Sequence, residues 1–446
     1  MVQRSISAEA LYDRLFHQGI RHFLPNCSVE PAGAANNGTQ NLETRVIDSS
    51  RLEVRWLRSR YVLDNHGIPF TTDQWRMVHS IGAVLSARLD LLLAEGLTLR
   101  SFRLFSGSNE DRYVSAFLDP VTYTSARTLA ELPDRVGDAV DVLRTTSLTR
   151  YEGSRVGSGV LLLGRPREGG QVFERPADAV PYSVALNAVR SFYRLCDGVN
   201  TVGIVDDEGL LVDLVDIHEW SKGASKMPLS VPAARTYRSH ARATLSGGHV
   251  CLVLTPNNDL KVFANGREVL QLRDGRWRLL DMHEKYRVWE SAVGDETLAR
   301  TIFTAALNVA ESRCGALFVI LDDPASVSQL VASGGLIRER PETPFEDRPS
   351  KEHLHYLLRG KRVSELPPAV FESVACIDGA IVLDRDGAIL AFGAILLSPP
   401  GAEFNDPQEG GRTTAALGAS ALGRVLKVSE DGPISFFQNQ QLVWEL

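Results

Sequence analysis

The sequence predicts an α/β protein in which central mixed sheets are flanked by helices. Three observations predict it. Apolar runs of strand length, such as Ala316 to Leu321, are bounded by turn residues; amphipathic helical patterns lie between them; and one helix, strand and hairpin unit occurs twice.

In chain order, Pro31 to Gln40 is rich in Gly, Asn and Ala and is expected to be a loop. Thr71 to Gly96 is the clearest long helix, because Val78, Ile81, Leu85, Leu89 and Leu92 recur at three- and four-residue steps and share one face. Thr71 with Gln74 forms a capping box, and Gly96 is a natural stop. Residues 1–134 are therefore read as a mixed α/β, sensor-like region.

Two later stretches run in parallel. In one, a helix marked by Leu298, Ile302, Ala305 and Val309 ends near Gly315 and passes into a buried strand, Ala316 to Leu321. In the other, Gly159 is followed by Val160-Leu161-Leu162-Leu163. Cys376-Ile377-Asp378-Gly379 and Cys196-Asp197-Gly198 each follow a predicted helix and precede a hairpin with an acidic-Gly turn, at Asp384 to Gly387 and Asp206 to Gly209. Such turns supply the positive φ a tight hairpin needs. Arg238-Ser239-His240-Ala241 then matches Arg412-Thr413-Thr414-Ala415, and Val253 to Leu270 faces Lys427 to Trp444 at the same offset. Convergence of common units would give a similar pattern; duplication accounts better for the shared order. The expected regions are 1–134, a degenerate sister domain at 135–275, and a C-terminal domain at 290–446.

Composition narrows the function. The 446 residues carry 48 Lys+Arg against 55 Asp+Glu, a net charge of −7, which lacks the broad basic footprint of a dedicated duplex binder. Nucleic acid is therefore not an expected partner. The five cysteines are far apart without a Cys-x-x-Cys pair, which fits neither a disulfide framework nor a zinc ribbon and fits a reducing cytoplasm. The longest apolar runs fall short of the ~20 residues a membrane helix needs, so no membrane association is expected.

No Gly-x-x-x-x-Gly-Lys-Ser/Thr string occurs, and no His-Glu-x-x-His. His353 and His355 stand two apart on a predicted helix opened by Ser350 and so point to different faces. Asp378-Gly379-Ala380 places a carboxylate at the mouth of a buried strand, where it can hold a divalent metal or orient a hydroxyl; taken alone, Asp-Gly is as readily a surface turn. Gly410-Gly411-Arg412-Thr413-Thr414 combines bare backbone, a guanidinium and two hydroxyls, the donors of a phosphate cradle, and reads equally as a loop opening an Ala-rich helix. Glu430, at the turn after Lys427-Val428-Ser429, is either a second metal ligand or a solvated acid.

In this order and spacing, the three strings resemble the catalytic domain of diadenylate cyclases, over about residues 290 to 446. That family carries an Asp-Gly-Ala motif, a Gly-x-Arg-His-Arg-Ala-Ala motif and a Val-Ser-Glu-Glu-like strand end. Here they stand as Asp378-Gly379-Ala380, Gly410 to Ala416, and Val428-Ser429-Glu430-Asp431. The resemblance implies a domain that binds ATP with Mg²⁺ or Mn²⁺ and condenses two ATP into cyclic di-AMP and pyrophosphate between two facing domains, hence a homo-oligomer. It implies that Asp378, with Gly379 and Ala380, positions the metal and the 3′-hydroxyl. Gly411, Arg412, Thr413 and Thr414 would hold phosphate, and Glu430 would assist Asp378 at the metal.

One departure is visible. Thr413 and Thr414 replace the family's His and second Arg. Loss of one preorganised donor costs about 10²–10³ in rate, so the alternative is a catalytically silent nucleotide-binding sensor. Lys427, Arg424 or a residue of the sister copy are the candidate replacements.

Overall fold

The computed structural model describes residues 8–93, 104–124, 133–151, 153–165, 175–189, 192–224, 227–338, 352–397 and 410–446. They divide into two units, the first comprising 1–229 and 239–281 and the second 230–238 and 282–446. The regions expected at 1–134 and 135–275 thus fall in the first unit, except for 230–238, which belongs to the second.

That unit begins with a helix, Ala8–Phe23, and a long antiparallel ribbon, β1 (Ser28–Val46) and β2 (Arg51–Asp64). The expectation of a loop at Pro31 to Gln40 is corrected, because this stretch is part of β1. Its small residues are absorbed as register shifts between Pro31, Ala34, Thr39 and Glu43, each an irregularity that bends the strand without ending it. The helix Thr72–Leu93 follows, and its capping box is reciprocal: Gln74 N donates to Thr71 Oγ1 at 3.0 Å and Thr71 N to Gln74 Oε1 at 3.1 Å. Gly96, the expected stop, lies outside the described residues.

A small ribbon, β3 (Arg150–Tyr151) and β4 (Ser154–Arg155), leads into the first large sheet. Its strands are β5 (Ser158–Leu162), β6 (Val180–Pro181), β7 (Thr201–Val205), β8 (Leu210–Asp216), β9 (Val250–Leu254), β10 (Leu260–Ala264), β11 (Arg267–Arg273) and β12 (Arg276–Leu279). They are ordered β12-β11-β10-β9-β5-β7-β8-β6. Val160, Leu162, Leu252 and Leu254 face the helix Arg135–Ser147 and share one core with Phe16, Trp56, Ile81 and Val140. This shared core is why the first two expected regions form one unit.

The second large sheet consists of β13 (Ala316–Leu321), β14 (Ala380–Leu383), β15 (Ile389–Ala394), β16 (Gly423–Val428), β17 (Ile434–Gln438) and β18 (Gln441–Glu445), ordered β15-β14-β13-β16-β17-β18. Strand alternation sends successive side chains to opposite faces. Leu317, Val319, Val425 and Phe437 pack under the helix Gly411–Ala419. On the other face Phe318 meets Phe371 and Phe436 meets Trp289, beside the helix Glu296–Glu311. Full burial of an aromatic ring such as Phe318 stabilises by about 1.5–3 kcal/mol.

The two sheets share a topology. β5 lies parallel to β7 and antiparallel to β9; β13 lies parallel to β14 and antiparallel to β16. In each, the second strand closes a hairpin through an acidic-Gly turn, with Gly209 at φ 81° and Gly387 at φ 76°. In each, the third strand opens an antiparallel run, β9-β10-β11 and β16-β17-β18. Helices precede the corresponding strands too: Arg135–Ser147 and Glu296–Glu311, Phe192–Leu195 and Pro368–Ala375, Arg238–Ala243 and Gly411–Ala419. Nine elements in one order and one sense agree with the duplication read from the sequence.

Candidate functional site

β13 sits between β14 and β16, and this placement gathers the three strings. In parallel pairing Leu317 stands opposite Ala380, and in antiparallel pairing Ala316 stands opposite Val428. Gly315, Gly379 and Ser429, which adjoin those pairs, therefore lie at one end of the sheet. The helix Gly411–Ala419 begins at the same end, its first turn held by Thr413 N and Thr414 N donating to the Gly410 carbonyl at 2.9 and 3.2 Å.

Arg412 is the centre of the cluster. Its Nη1 donates to Glu430 Oε1 at 2.7 Å, and its Nη2 lies 3.8 Å from Asp378 Oδ1. The guanidinium rests on Gly315, where a Cβ would fall 2.3 Å from Nη1, so this glycine makes room for the arginine. The Asp378 side chain is 97% exposed, so its carboxylate is open to a ligand. Gly379 has φ 117°, and a Cβ there would meet the Gly393 carbonyl carbon at 2.5 Å; no other residue fits. Ala380 is buried in the core of β14 and sets the strand rather than facing the site. Gly411 is exposed at the helix start, and Thr414 is half-buried in the same turn.

Of Lys427 and Arg424, the two residues named as candidate replacements, Lys427 lies beside the cluster and Arg424 does not. Lys427 is buried, 5.8 Å from the Phe437 ring centre, and its Nζ donates to Thr413 Oγ1 at 2.9 Å. Arg424 stands at the far end of β16, opposite Ile320, and pairs with Asp322. In the sequence Gly315 marks only the passage from helix to strand, and its part under Arg412 follows from pairing distant in sequence. Cys314 and Cys376 flank the site; burial, then the neighbouring Cys314, pushes the Cys376 thiol up to about 12.

The fit to a resident divalent cation is poor. The two expected ligands, Asp378 and Glu430, face one another across the Arg412 guanidinium, which takes the position a cation would hold. Among the described residues no group of three or more His, Cys, Asp or Glu side chains is placed to hold a metal. His355 is buried against the Phe392 ring, on a short 3₁₀ segment Glu352–Leu357; Ser350, expected to open a helix there, lies outside the described residues.

The corresponding end of the first sheet is closed. Pairing puts Val160 opposite Gly203 and Phe318 opposite Ile381. Asp378 stands three residues before Ile381, and the residue at that station before Gly203 is Asn200, not the expected Asp197. Asp197 folds inward instead. Its Oδ1 accepts from the Val199, Asn200 and Thr201 amides at 2.8, 2.7 and 3.0 Å. Burial acts to raise its pKa, but these hydrogen bonds prevail and hold it below the ordinary carboxylate range. A Cβ at Gly157 would meet the Asp197 carbonyl at 2.6 Å, so that carbonyl covers the glycine as Arg412 covers Gly315. His240 Nε2 bonds the Gly198 carbonyl at 2.8 Å, and the position that matches Lys427 in this sheet is Val253, wholly buried.

No protein-family model matches the chain, and no curated protein matches it. Among solved structures, a hypothetical membrane spanning protein from Bacillus cereus is similar at 22% identity and a TM-score of 0.24, covering 36% of this chain and 74% of its own. DacA from Staphylococcus aureus, in a double cysteine mutant, is similar at 22% identity and a TM-score of 0.21, covering 33% of this chain and 85% of its own. Among the described residues of this chain no helix is long and apolar enough to cross a membrane.

Proposed function

We propose that the 282–446 portion of the second unit is a nucleotide-binding domain of the diadenylate cyclase type, taking ATP or a related nucleotide at the sheet end around Arg412. The observation that supports this reading is the meeting of the three motif strings on one guanidinium, with Asp378 at 3.8 Å and Glu430 at 2.7 Å. On this reading Arg412 and Lys427 face the phosphates, and Thr413 and Thr414 contribute hydroxyls. Mg²⁺ or Mn²⁺ arrives with the triphosphate, as part of the substrate.

The chemistry of the type is the condensation of two ATP. Each ribose 3′-oxygen loses a proton and bonds to the α-phosphorus of the other nucleotide, each α–β bridging bond breaks, and two pyrophosphates leave. Asp378, exposed and beside the bare backbone of Gly379, is the group that would orient the 3′-hydroxyl. A pair of such domains is needed, so this reading requires two copies of the chain to meet.

A specific observation favours a silent, nucleotide-holding form as the second reading. Two carboxylates already neutralise Arg412, and two threonines stand where the family has a His and an Arg. The cradle is short of the fixed positive charge that stabilises charge at an α-phosphate. Incubation with ATP and Mn²⁺, followed by mass spectrometry for a cyclic dinucleotide, decides between them. Product lost in Asp378→Ala supports the enzyme, binding without product supports the silent form, and neither binding nor product refutes both.

A further inference from the structure

A cavity of about 1100 Å³ opens in the first unit, slightly above the size range usual for small-molecule sites. It is lined by Leu162, Gly164 and Arg165, where β5 ends, and by His249 and Val250, where β9 begins. The closed counterpart of the candidate site, around Gly157 and Asp197, is at the opposite end of β5. The cavity is thus no copy of the Arg412 site.

Its walls are of two kinds. Val136, Leu162 and Trp220 give an apolar side. The other side holds Arg135 and Arg165, both on Asp119: Arg135 Nη2 at 3.1 Å, and Arg165 Nη2 and Nε at 2.8 and 3.2 Å. Two guanidiniums thus share one directly bonded carboxylate, with Asp207 the further acid that acts on Arg135. Arg135 is 6% exposed and fixed by Nη1 donating to the Leu163 and Asp206 carbonyls at 2.6 and 3.0 Å, while its Nε is buried without a partner among the described residues. The two guanidiniums line the cavity wall around a single shared carboxylate, and an anion beside the more exposed Arg165 completes their pairing.

The mouth is shaped by backbone. A Cβ at Gly164 would fall 1.7 Å from the Gly247 carbonyl oxygen, and Gly247 and Gly248 have φ 74° and 68°, so this rim is held free of side chains. Gly164 N donates to His249 Nδ1 at 2.9 Å, which assigns the ring proton to Nε2. Burial, then Arg135, holds His249 below its ordinary range and keeps it neutral at pH 7.

We propose that this cavity binds a small organic anion with a flat apolar body, an aryl phosphate or aryl carboxylate in its chemistry, with the anionic group at Arg165 and Arg135 and the body against Trp220 and Leu162. The site belongs to the first unit alone and is independent of nucleotide binding in the second.

The test uses the full chain and the fluorescent aryl sulfonate 8-anilinonaphthalene-1-sulfonate as probe. Phenyl phosphate and benzoate are the anionic competitors, with benzyl alcohol as the neutral one. The expected result is displacement by one or both anions and none by benzyl alcohol; the more effective anion identifies the group preferred. Arg165→Ala should weaken the probe and its anionic competitors at least tenfold, and Arg165→Lys should recover part of the loss. If Arg165→Ala does not fold, Ser246→Asp, at an exposed position of the rim, places a carboxylate there and should weaken the same ligands. Equal displacement by benzyl alcohol, or unchanged affinity in a folded Arg165→Ala or Ser246→Asp variant, overturns the proposal.

Discussion

At the Gly315 end of the second sheet stand Arg412, Lys427, Asp378 and Glu430, whereas at the matching end of the first sheet stand His240, Val253, an inward-folded Asp197 and Pro256. The strands beneath are paired in the same order and sense. Backbone topology depends on buried apolar strands and turn glycines, and both copies keep these. The charged cluster depends on a few side chains, and it is absent where valine stands at the lysine's station and a carboxylate turns to cap its own loop. Fold and charged cluster are thus set by different residues.

The largest expected effect comes from restoring the missing donors in the open copy. Thr413→His with Thr414→Arg should raise condensation of ATP by about 10² or more, since each preorganised donor is worth about 10²–10³ in rate. Quantifying cyclic dinucleotide by mass spectrometry checks this, and no gain would place the deficit elsewhere than in the cradle.

Next is acid sensitivity in the closed copy. Burial, against the Gly198 carbonyl bond that raises it, lowers the His240 pKa to about 4. The unfolded chain takes up the proton near pH 6.5, so the contribution is fully present above that pH and is lost as pH falls towards 4. The whole loss is about 3 kcal/mol. His240→Gln removes the titrating group, so urea midpoints measured from pH 7 to pH 4.5 should fall less steeply in the variant. Parallel pH profiles would show that His240 is not the acid-labile group.

Arg412→Ala should weaken ATP binding about 10- to 100-fold, the worth of a charged hydrogen bond, whereas Arg238→Ala should leave it unchanged. Isothermal calorimetry separates the two, and equal losses would mean that both copies share in the site. The smallest contrast concerns glycines. Gly379→Ala and Gly198→Ala each force a side chain into positive φ and a backbone clash, at about 1–3 kcal/mol of strain. Melting temperatures should fall in both, while ATP affinity of the folded protein should fall only in Gly379→Ala.

Much of the frame was legible because its signals are local. Ala316 to Leu321 is an unbroken apolar run, the Thr71 box is a four-residue pattern, and the acidic-Gly turns lie directly between their strands. The ribbon strand β1 was not legible, since glycines and asparagines there sit at bulges whose partner is β2 rather than in a turn. At the site, the meeting of Asp378, Arg412 and Glu430 was anticipated from motif order. The inward turn of Asp197 was hidden, because Asp-Gly looks alike whether its carboxylate faces solvent or its own amides. Lys427 and Arg424 look equally suited in the sequence, and only strand pairing sets Lys427 beside Thr413 and Arg424 at the far end of β16.

The chain reaches the second unit first through Ser230–Arg238 and only later through 282–446. Within that unit the early segment supplies the Arg235 amide to Asn308 Oδ1 at 2.6 Å and the Arg235 guanidinium to Glu372 at 2.6 Å, and Asn308 Nδ2 also donates to Glu372. The 282–446 portion therefore leans on nine residues from earlier in the chain. A protein truncated to begin at Met282 strips Asn308 and Glu372 of those partners, and during synthesis the nine-residue strap must wait for more than a hundred later residues before its docking surface is finished.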